Sequence, residues 1–280
     1  MASQTVNPTD IASFFADPAA SNAITLGAQQ IAAPVVSGQA ITFEDLSQGG
    51  GIRIVFLVID ASPSMEPVAD LLRDSFNKDF IPAVQDARAD DIAVLRIGGL
   101  AFSTKITPIW QSGGNGFHAL DQLPKLTKAE YDPEQGWGTA LHKAILTGTA
   151  TAVSYAALLR AQMGIQPEVD VITFTDGANN EQPADPAEVR TVIVGGRSTL
   201  VRHTFLYFQT DLGARNPQKI GLDLGYDGEN ISVFTKKPNE SSESYASRFR
   251  RLMRVMSRVS ASRGASATNA AAAVVEEDAV

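Results

Sequence analysis

Asp60-Ala61-Ser62-Pro63-Ser64 places a carboxylate and two hydroxyls at spacing two, directly after the apolar run Arg53-Ile54-Val55-Phe56-Leu57-Val58-Ile59. Core packing has no use for such a trio. A hard divalent cation does, because it is held by several oxygen ligands that one short loop can supply. Alternate residues of an extended segment share a side, so the oxygens of Asp60, Ser62 and Ser64 face the same way. Two more oxygens stand at comparable places: Thr139, after Gly136-Trp137-Gly138, and Asp176, in Thr175-Asp176-Gly177-Ala178. Each residue alone has an ordinary reading as a helix cap or a turn residue. Their order, each beside the end of an apolar run, favours metal chemistry over five separate coincidences.

The elements that must position these residues alternate along the chain. Residues 53–60 read as a buried strand, and Pro67 to Val84 as a helix with Val68, Leu71, Leu72, Phe76 and Phe80 near helical spacing. Ile92 to Phe102 is a second apolar stretch, in which Gly98-Gly99 suggests a bulge or a change of strand. Ile106-Thr107-Pro108-Ile109-Trp110 reads as an edge strand, because proline cannot donate to a central ladder. Thr139 to Met163 reads as a long helix, in which the Thr139 hydroxyl either caps the helix or reaches the oxygen cluster. Strands are predicted at 169–175, 204–208 and 231–234, and helices at 187–194, 215–222 and 241–260. This alternation predicts an α/β fold: a doubly wound, mostly parallel central sheet with helices on both faces and one short antiparallel edge strand. Ligands of such sheets sit outside the carboxyl ends of the strands, which is where Asp60 and Asp176 fall.

Three segments follow from composition. Residues 1–51 form an N-terminal extension rich in small and polar residues, ending in the linker-like Ser47-Gln48-Gly49-Gly50-Gly51. Within it, Thr9-Asp10 suits a helix cap, and Ala23-Ile24-Thr25-Leu26 and Ala40-Ile41-Thr42-Phe43 are either short strands or chance in a small-residue alphabet. Residues 52–260 form the main domain. Residues 261–280 read as a flexible tail, rich in Ala and Ser and then acidic.

Composition removes several function classes. The 280 residues are 44% hydrophobic and 19% charged, as in a globular protein. The net charge of −8 disfavours a general nucleic-acid binder. Without cysteine there is no thiolate metal site and no cysteine nucleophile. His118, His142 and His203 do not share zinc-ligand spacing, and neither a phosphate-binding GxxxxGK[ST] loop nor a GxSxG elbow occurs. The run Asp223-Leu224-Gly225-Tyr226-Asp227-Gly228 fails as a calcium loop and reads as a turn. No signal peptide opens the chain, and no run approaches the ~18 apolar residues of a membrane span, so a soluble cytoplasmic protein is expected. Arg248, Arg250, Arg251, Arg254 and Arg258 read as the solvated face of a core-packed helix rather than as a membrane or nucleic-acid surface.

Asp60-x-Ser62-x-Ser64, Thr139 and Thr175-Asp176-Gly177 resemble the metal-ion-dependent adhesion site (MIDAS) of von Willebrand factor type A (vWA) domains, over residues 52–260. Met65 matches the apolar residue that usually follows the second Ser, whereas Pro63 stands where the family often has Gly. The resemblance implies that Asp60, Ser62, Ser64, Thr139 and Asp176 hold Mg2+, with Ca2+ or Mn2+ as alternatives. It implies a non-catalytic protein-binding module that takes a partner's Asp or Glu on the ion. Intracellular, bacterial-style relatives work beside AAA-type ATPases or assembly subunits, and residues 1–51 would then serve as a docking arm. A structural subunit whose ion stabilises the fold is the second expectation. A hydrolase is the third and weakest, since no general base or nucleophile accompanies the five oxygens. Trp137 is either an exposed interface anchor or a side chain packed over its own loop.

Overall fold

The computed structural model describes residues 8–30, 41, 51–86, 92–111, 116–133, 137–177, 179–180, 185–196, 200–209 and 216–261. The strands are β1 (Gly51–Asp60), β2 (Ile92–Phe102), β3 (Ile106–Pro108), β4 (Phe117–Ala119), β5 (Glu168–Thr175), β6 (Val201–Gln209) and β7 (Ile231–Thr235). The helices are α1 (Pro8–Ala12), α2 (Pro18–Gln30), α3 (Glu66–Ser75), α4 (Ile81–Asp86), α5 (Leu141–Met163), α6 (Pro186–Gly195), α7 (Pro217–Asp223) and α8 (Ser242–Ala261).

The sheet runs β3-β2-β1-β5-β6-β7. Strands β1, β2, β5, β6 and β7 are parallel, and β3 and β4 both pair antiparallel with β2. The antiparallel edge is thus shared. β4 lies along Arg96–Gly98 and β3 along Leu100–Phe102, so the edge partner changes at the Gly98-Gly99 step. A side chain at Gly98 would come within 2.7 Å of the Gly116 carbonyl, which explains why the step is glycine.

All ten residues of β1 are buried, as a central strand covered on both faces requires. Ile54, Phe56 and Val58 point into one layer, with residues of α1, α2, α5 and α6. Val55, Leu57 and Ile59 point into the other, with residues of α3, α4 and α8. From β1 the chain winds outward in both directions, to β2 on one side and β5 on the other. The carboxyl ends of β1 and β5 therefore flank the crevice where such sheets take ligands.

Several expectations change in detail. The predicted helix from Pro67 is two helices joined by a π-helical turn, Phe76–Phe80, with the Ile81 amide on the Phe76 carbonyl. Pro82 has no amide to continue the α-helical ladder there. The turn brings Phe76 onto Phe80 and Trp110, at ring separations of 5.0 and 5.1 Å. Ala23-Ile24-Thr25-Leu26 lies inside α2 rather than in a strand, and Ile24 is buried against the core. Of Ala40–Phe43 only Ile41 is described, half-buried against the same core. Most of the linker-like run before β1, and residues 262–280, lie outside the described residues.

Among the described residues, α5 is long and apolar enough to cross a membrane, although no such segment was expected. It is a core helix. Gly148 lets it approach β1 so closely that a Cβ there would lie 2.5 Å from Val58.

The amino edge of the sheet is also polar. Arg202 bonds both carboxylate oxygens of Asp170, at 2.6 and 2.9 Å, and Arg53 pairs with Glu168. These charges are paired with one another within the fold.

Candidate metal centre

β1 ends on Asp60, whose side chain is fully buried. Its Oδ1 accepts the Ser62 amide at 2.8 Å, and its Oδ2 accepts the Thr175 hydroxyl at 2.5 Å. Burial pushes its pKa from 3.8 up to about 6, the nearby charge of Asp176 adds to this, and the bonds from Thr175 and Ser62 oppose it. A buried carboxylate held this way strongly favours a compensating positive charge.

The loop after Asp60 is well made for its sequence. Ser62 is extended, at φ −69° and ψ 155°, and Pro63–Met65 form a 3-10 turn with the proline at its start. A fixed proline φ suits that first position, and the extended Ser62 suits a residue preceding proline. Pro63 thus sets the turn rather than disrupting it. Met65 is fully buried and anchors the turn to the core.

Ser62 Oγ lies 3.1 Å from Ser64 Oγ, and the Ser64 hydroxyl donates to Asp176 Oδ1 at 2.8 Å. This chain of oxygens crosses from the β1 loop to the β5 loop. Asp176 is 7% exposed and Ser62 2%, whereas Ser64 is exposed, so the cluster opens to solvent on one side.

Thr139 is buried and is tied through its backbone to Asn180. Its amide donates to Asn180 Oδ1 at 2.5 Å, and its carbonyl accepts the Asn180 amide at 3.1 Å. The long helix begins at Leu141 with Ala140 at its cap position, so Thr139 does not cap it. The described hydrogen bonds link the other four residues to one another; Thr139 stands beside them, tied to the Asp176 loop.

Sequence reasoning missed the supports. Thr175, Tyr131 and Asn180 hold the cluster without belonging to it. The Tyr131 hydroxyl donates to the Asp60 carbonyl at 2.9 Å, and Arg73 donates to the Tyr131 carbonyl at 2.7 Å. Thr175 adjoins Asp176 in sequence, and a buried hydroxyl at a strand end was a readable signal. Tyr131 and Asn180 gave none, because their contacts depend on loop closure.

Trp137 is 79% exposed, which decides between its two readings in favour of an unpacked side chain. Its backbone is fixed all the same, because its carbonyl accepts the Thr104 amide at 2.8 Å. The histidines lie elsewhere: His118 is buried with Nε2 2.5 Å from the Trp110 carbonyl, and His203 is buried beside Tyr226. Of the arginines on α8, Arg248 pairs with Glu240 and Arg254 with Asp79.

The donor set suits a hard cation. Two carboxylates and three hydroxyls are the oxygen ligands Mg2+ or Ca2+ prefers, and five donors leave at least one position of a six-ligand shell open. Among the described residues no three His, Cys, Asp or Glu side chains form a metal cluster, so any ion at this edge depends on the hydroxyls.

No family model matches the chain, and no curated protein matches it. Solved structures do resemble it. Proximal thread matrix protein 1 from the mussel byssus is similar over 77% of this chain and 47% of its own, at 15% identity and a TM-score of 0.47. That protein has also been solved with a zinc-occupied MIDAS motif. A von Willebrand factor type A protein from Catenulispora acidiphila is similar over 76% of this chain and 43% of its own, at 15% identity and a TM-score of 0.46. The pilus adhesin SpaC from Lactobacillus rhamnosus GG is similar over 78% of this chain and 31% of its own, at 16% identity and a TM-score of 0.36. The chain spans less than half the length of each of these structures.

Proposed function

We propose that this protein is a non-catalytic, divalent-metal-dependent binding module for another protein. Asp60, Ser62, Ser64, Thr139 and Asp176 would hold the ion, and a partner's Asp or Glu would complete its shell. The observation that carries this reading is the hydrogen bond from Ser64 to Asp176, which brings loops 112 residues apart into one oxygen cluster at the sheet's switch point. A bound Mg2+ would offer an open coordination position at the surface, which a carboxylate oxygen can fill. The chain's own residues fix the geometry: Thr175 and the Ser62 amide orient Asp60, and Asn180 holds Thr139 against the Asp176 loop. The partner is a protein carrying an accessible acidic side chain, such as an ATPase of the AAA type or an assembly subunit in the cytoplasm.

The test is calorimetric titration of the chelator-treated protein with Mg2+, repeated with Asp60→Ala, followed by affinity capture of partners in Mg2+ and in EDTA. Saturable Mg2+ uptake that disappears in Asp60→Ala, together with EDTA-sensitive capture, supports the reading. Capture that is unchanged by both treatments sinks it. The burial of Asp60 favours one alternative, an ion that mainly stabilises the fold within an assembly. In that case EDTA lowers the melting temperature and leaves partner capture intact.

A further inference from the structure

Tyr131 touches both ends of the turn that carries Ser62 and Ser64. Its hydroxyl donates to the Asp60 carbonyl at 2.9 Å, where β1 ends. Its own carbonyl accepts Arg73 at 2.7 Å, on α3, the helix into which the turn leads. The Arg73 guanidinium also stands 5.9 Å from the centre of the Tyr131 ring. One buried residue thus sets the span that the oxygen-bearing turn has to bridge.

Tyr131 is itself held from several sides. The amides of Glu130 and Tyr131 both donate to the Thr127 carbonyl, at 3.1 and 3.0 Å. Leu126 exchanges two hydrogen bonds with the Asn77 side chain in the π-helical turn, at 2.8 and 2.9 Å. The Glu130 carboxylate accepts the Trp110 amide at 2.8 Å. Trp110 has a left-handed backbone at that point, φ 58°, one of two non-glycine residues to do so among those described. Such a conformation is costly for a bulky residue and persists only where its surroundings impose it. Here His118 donates to the Trp110 carbonyl at 2.5 Å, and the buried indole stacks on Phe76. Among the described residues its Nε1 has no hydrogen-bond partner. A strained backbone and an unspent N–H in one core residue are more than packing alone requires.

We propose that this strap, residues 126–131, sets the ion preference of the metal site in favour of Mg2+. Tyr131 is the positioning residue, and Glu130, anchored on Trp110, holds it in place. This rests on the proposed metal-dependent reading of that site. Mg2+ takes oxygens at about 2.1 Å in near-ideal octahedral geometry, whereas Ca2+ accepts about six to eight ligands at about 2.4 Å in a flexible shell. A turn clamped at both ends keeps its oxygens in one arrangement, which suits the ion with the stricter demands. A loosened turn can still wrap the more tolerant ion. Releasing the clamp therefore removes the advantage of Mg2+ and leaves Ca2+ binding largely in place.

The test is calorimetric titration of the chelator-treated, full-length protein with Mg2+ and, separately, with Ca2+. The native chain is compared with Tyr131→Phe, Glu130→Ala and Glu130→Gln. Tyr131→Phe deletes one oxygen and leaves the buried ring. It should weaken Mg2+ binding about tenfold, the scale of residues that orient metal ligands, and lower the Mg2+-to-Ca2+ affinity ratio nearly as much. Glu130→Ala should lower the ratio in the same way. Glu130→Gln keeps an oxygen for the Trp110 amide and should retain the native ratio. Thermal melts in EDTA accompany each titration, and Tyr131→Phe decides the matter alone if Glu130→Ala does not fold. Mg2+ and Ca2+ affinities that fall together mark a merely structural residue and overturn the proposal. A native chain that prefers Ca2+ overturns it too. Equal ratios in Glu130→Ala and Glu130→Gln overturn the part given to Glu130. Ion uptake with a ratio indifferent to Tyr131→Phe defeats only the strap, whereas no uptake of either ion by the native chain defeats the metal site as well.

Discussion

The Thr175 hydroxyl donates to Asp60 Oδ2 across 2.5 Å, tying the carboxyl end of β5 to that of β1. It orients a carboxylate that burial has made costly to ionise, with a pKa raised to about 6. The folded state therefore holds this proton more tightly than the unfolded chain does. The resulting stability is complete below pH 3.8 and is lost as pH rises to about 6. The loss totals about 3 kcal/mol in the metal-free protein. Asp60→Asn should consequently raise the melting temperature in EDTA near neutral pH while removing the stabilisation that added Mg2+ gives the native chain. Differential scanning calorimetry across this pH range checks both halves. A variant no more stable than the native chain in EDTA would show that burial of Asp60 carries no such cost.

Asn180 holds Thr139 by two backbone contacts, one through its side chain. Residues that orient metal ligands typically contribute about 10- to 100-fold to affinity. Asn180→Ala should therefore weaken Mg2+ binding by about tenfold while leaving the melting temperature in EDTA nearly unchanged. Calorimetric titration beside thermal melts reads both quantities. Unaltered Mg2+ affinity would remove Thr139, or its tether, from the site.

The layered sheet was legible because its signals are local. Mostly apolar runs of five to seven residues at 53–59, 169–175 and 204–208 read as covered strands, and the acid or hydroxyl at a strand end marks the edge where such sheets take ligands. The grouping of Asp60, Ser62, Ser64 and Asp176 at that edge was readable for the same reason. What stayed hidden depends on contacts between distant segments. Nothing near residue 24 states that α2 will meet α6, and nothing near Tyr131 states that its hydroxyl will reach the end of β1. The π-helical turn at Phe76–Phe80 was hidden differently: it keeps the helical spacing of apolar residues and changes only their phase.

Among the described residues buried His203 has no hydrogen-bond partner for either ring nitrogen, and burial lowers its pKa from 6.5 to about 4. It stays neutral in the fold and must be charged to unfold fully in mild acid. Its contribution to stability is present above pH 6.5 and disappears as pH falls to about 4. The size is roughly 3 kcal/mol by proton linkage. His203→Phe, which keeps a ring against Tyr226, should flatten this part of the stability profile. Urea denaturation at several pH values measures it, and an unchanged acid slope would exclude His203 as its source.

The N-terminal helices are held by close approach. A Cβ at Gly195 would sit 2.4 Å from the Cβ of Ala20, so α2 packs on α6 only because that position is glycine. Ile11, Phe14 and Ile24 join the same core layer, which makes residues 8–30 a fitted cover over α5 and α6. Gly195→Val should push α2 away at a cost of about 1–3 kcal/mol, the range for overpacking a filled interface. The sheet should survive, because the substitution lies on the outer face of α6. Limited proteolysis should cut the variant sooner between residues 8 and 50 than elsewhere, with near-native circular dichroism from the remainder. If cleavage instead spreads evenly over the chain, the N-terminal helices and the sheet unfold as one unit, and the cover is inseparable from the domain it covers.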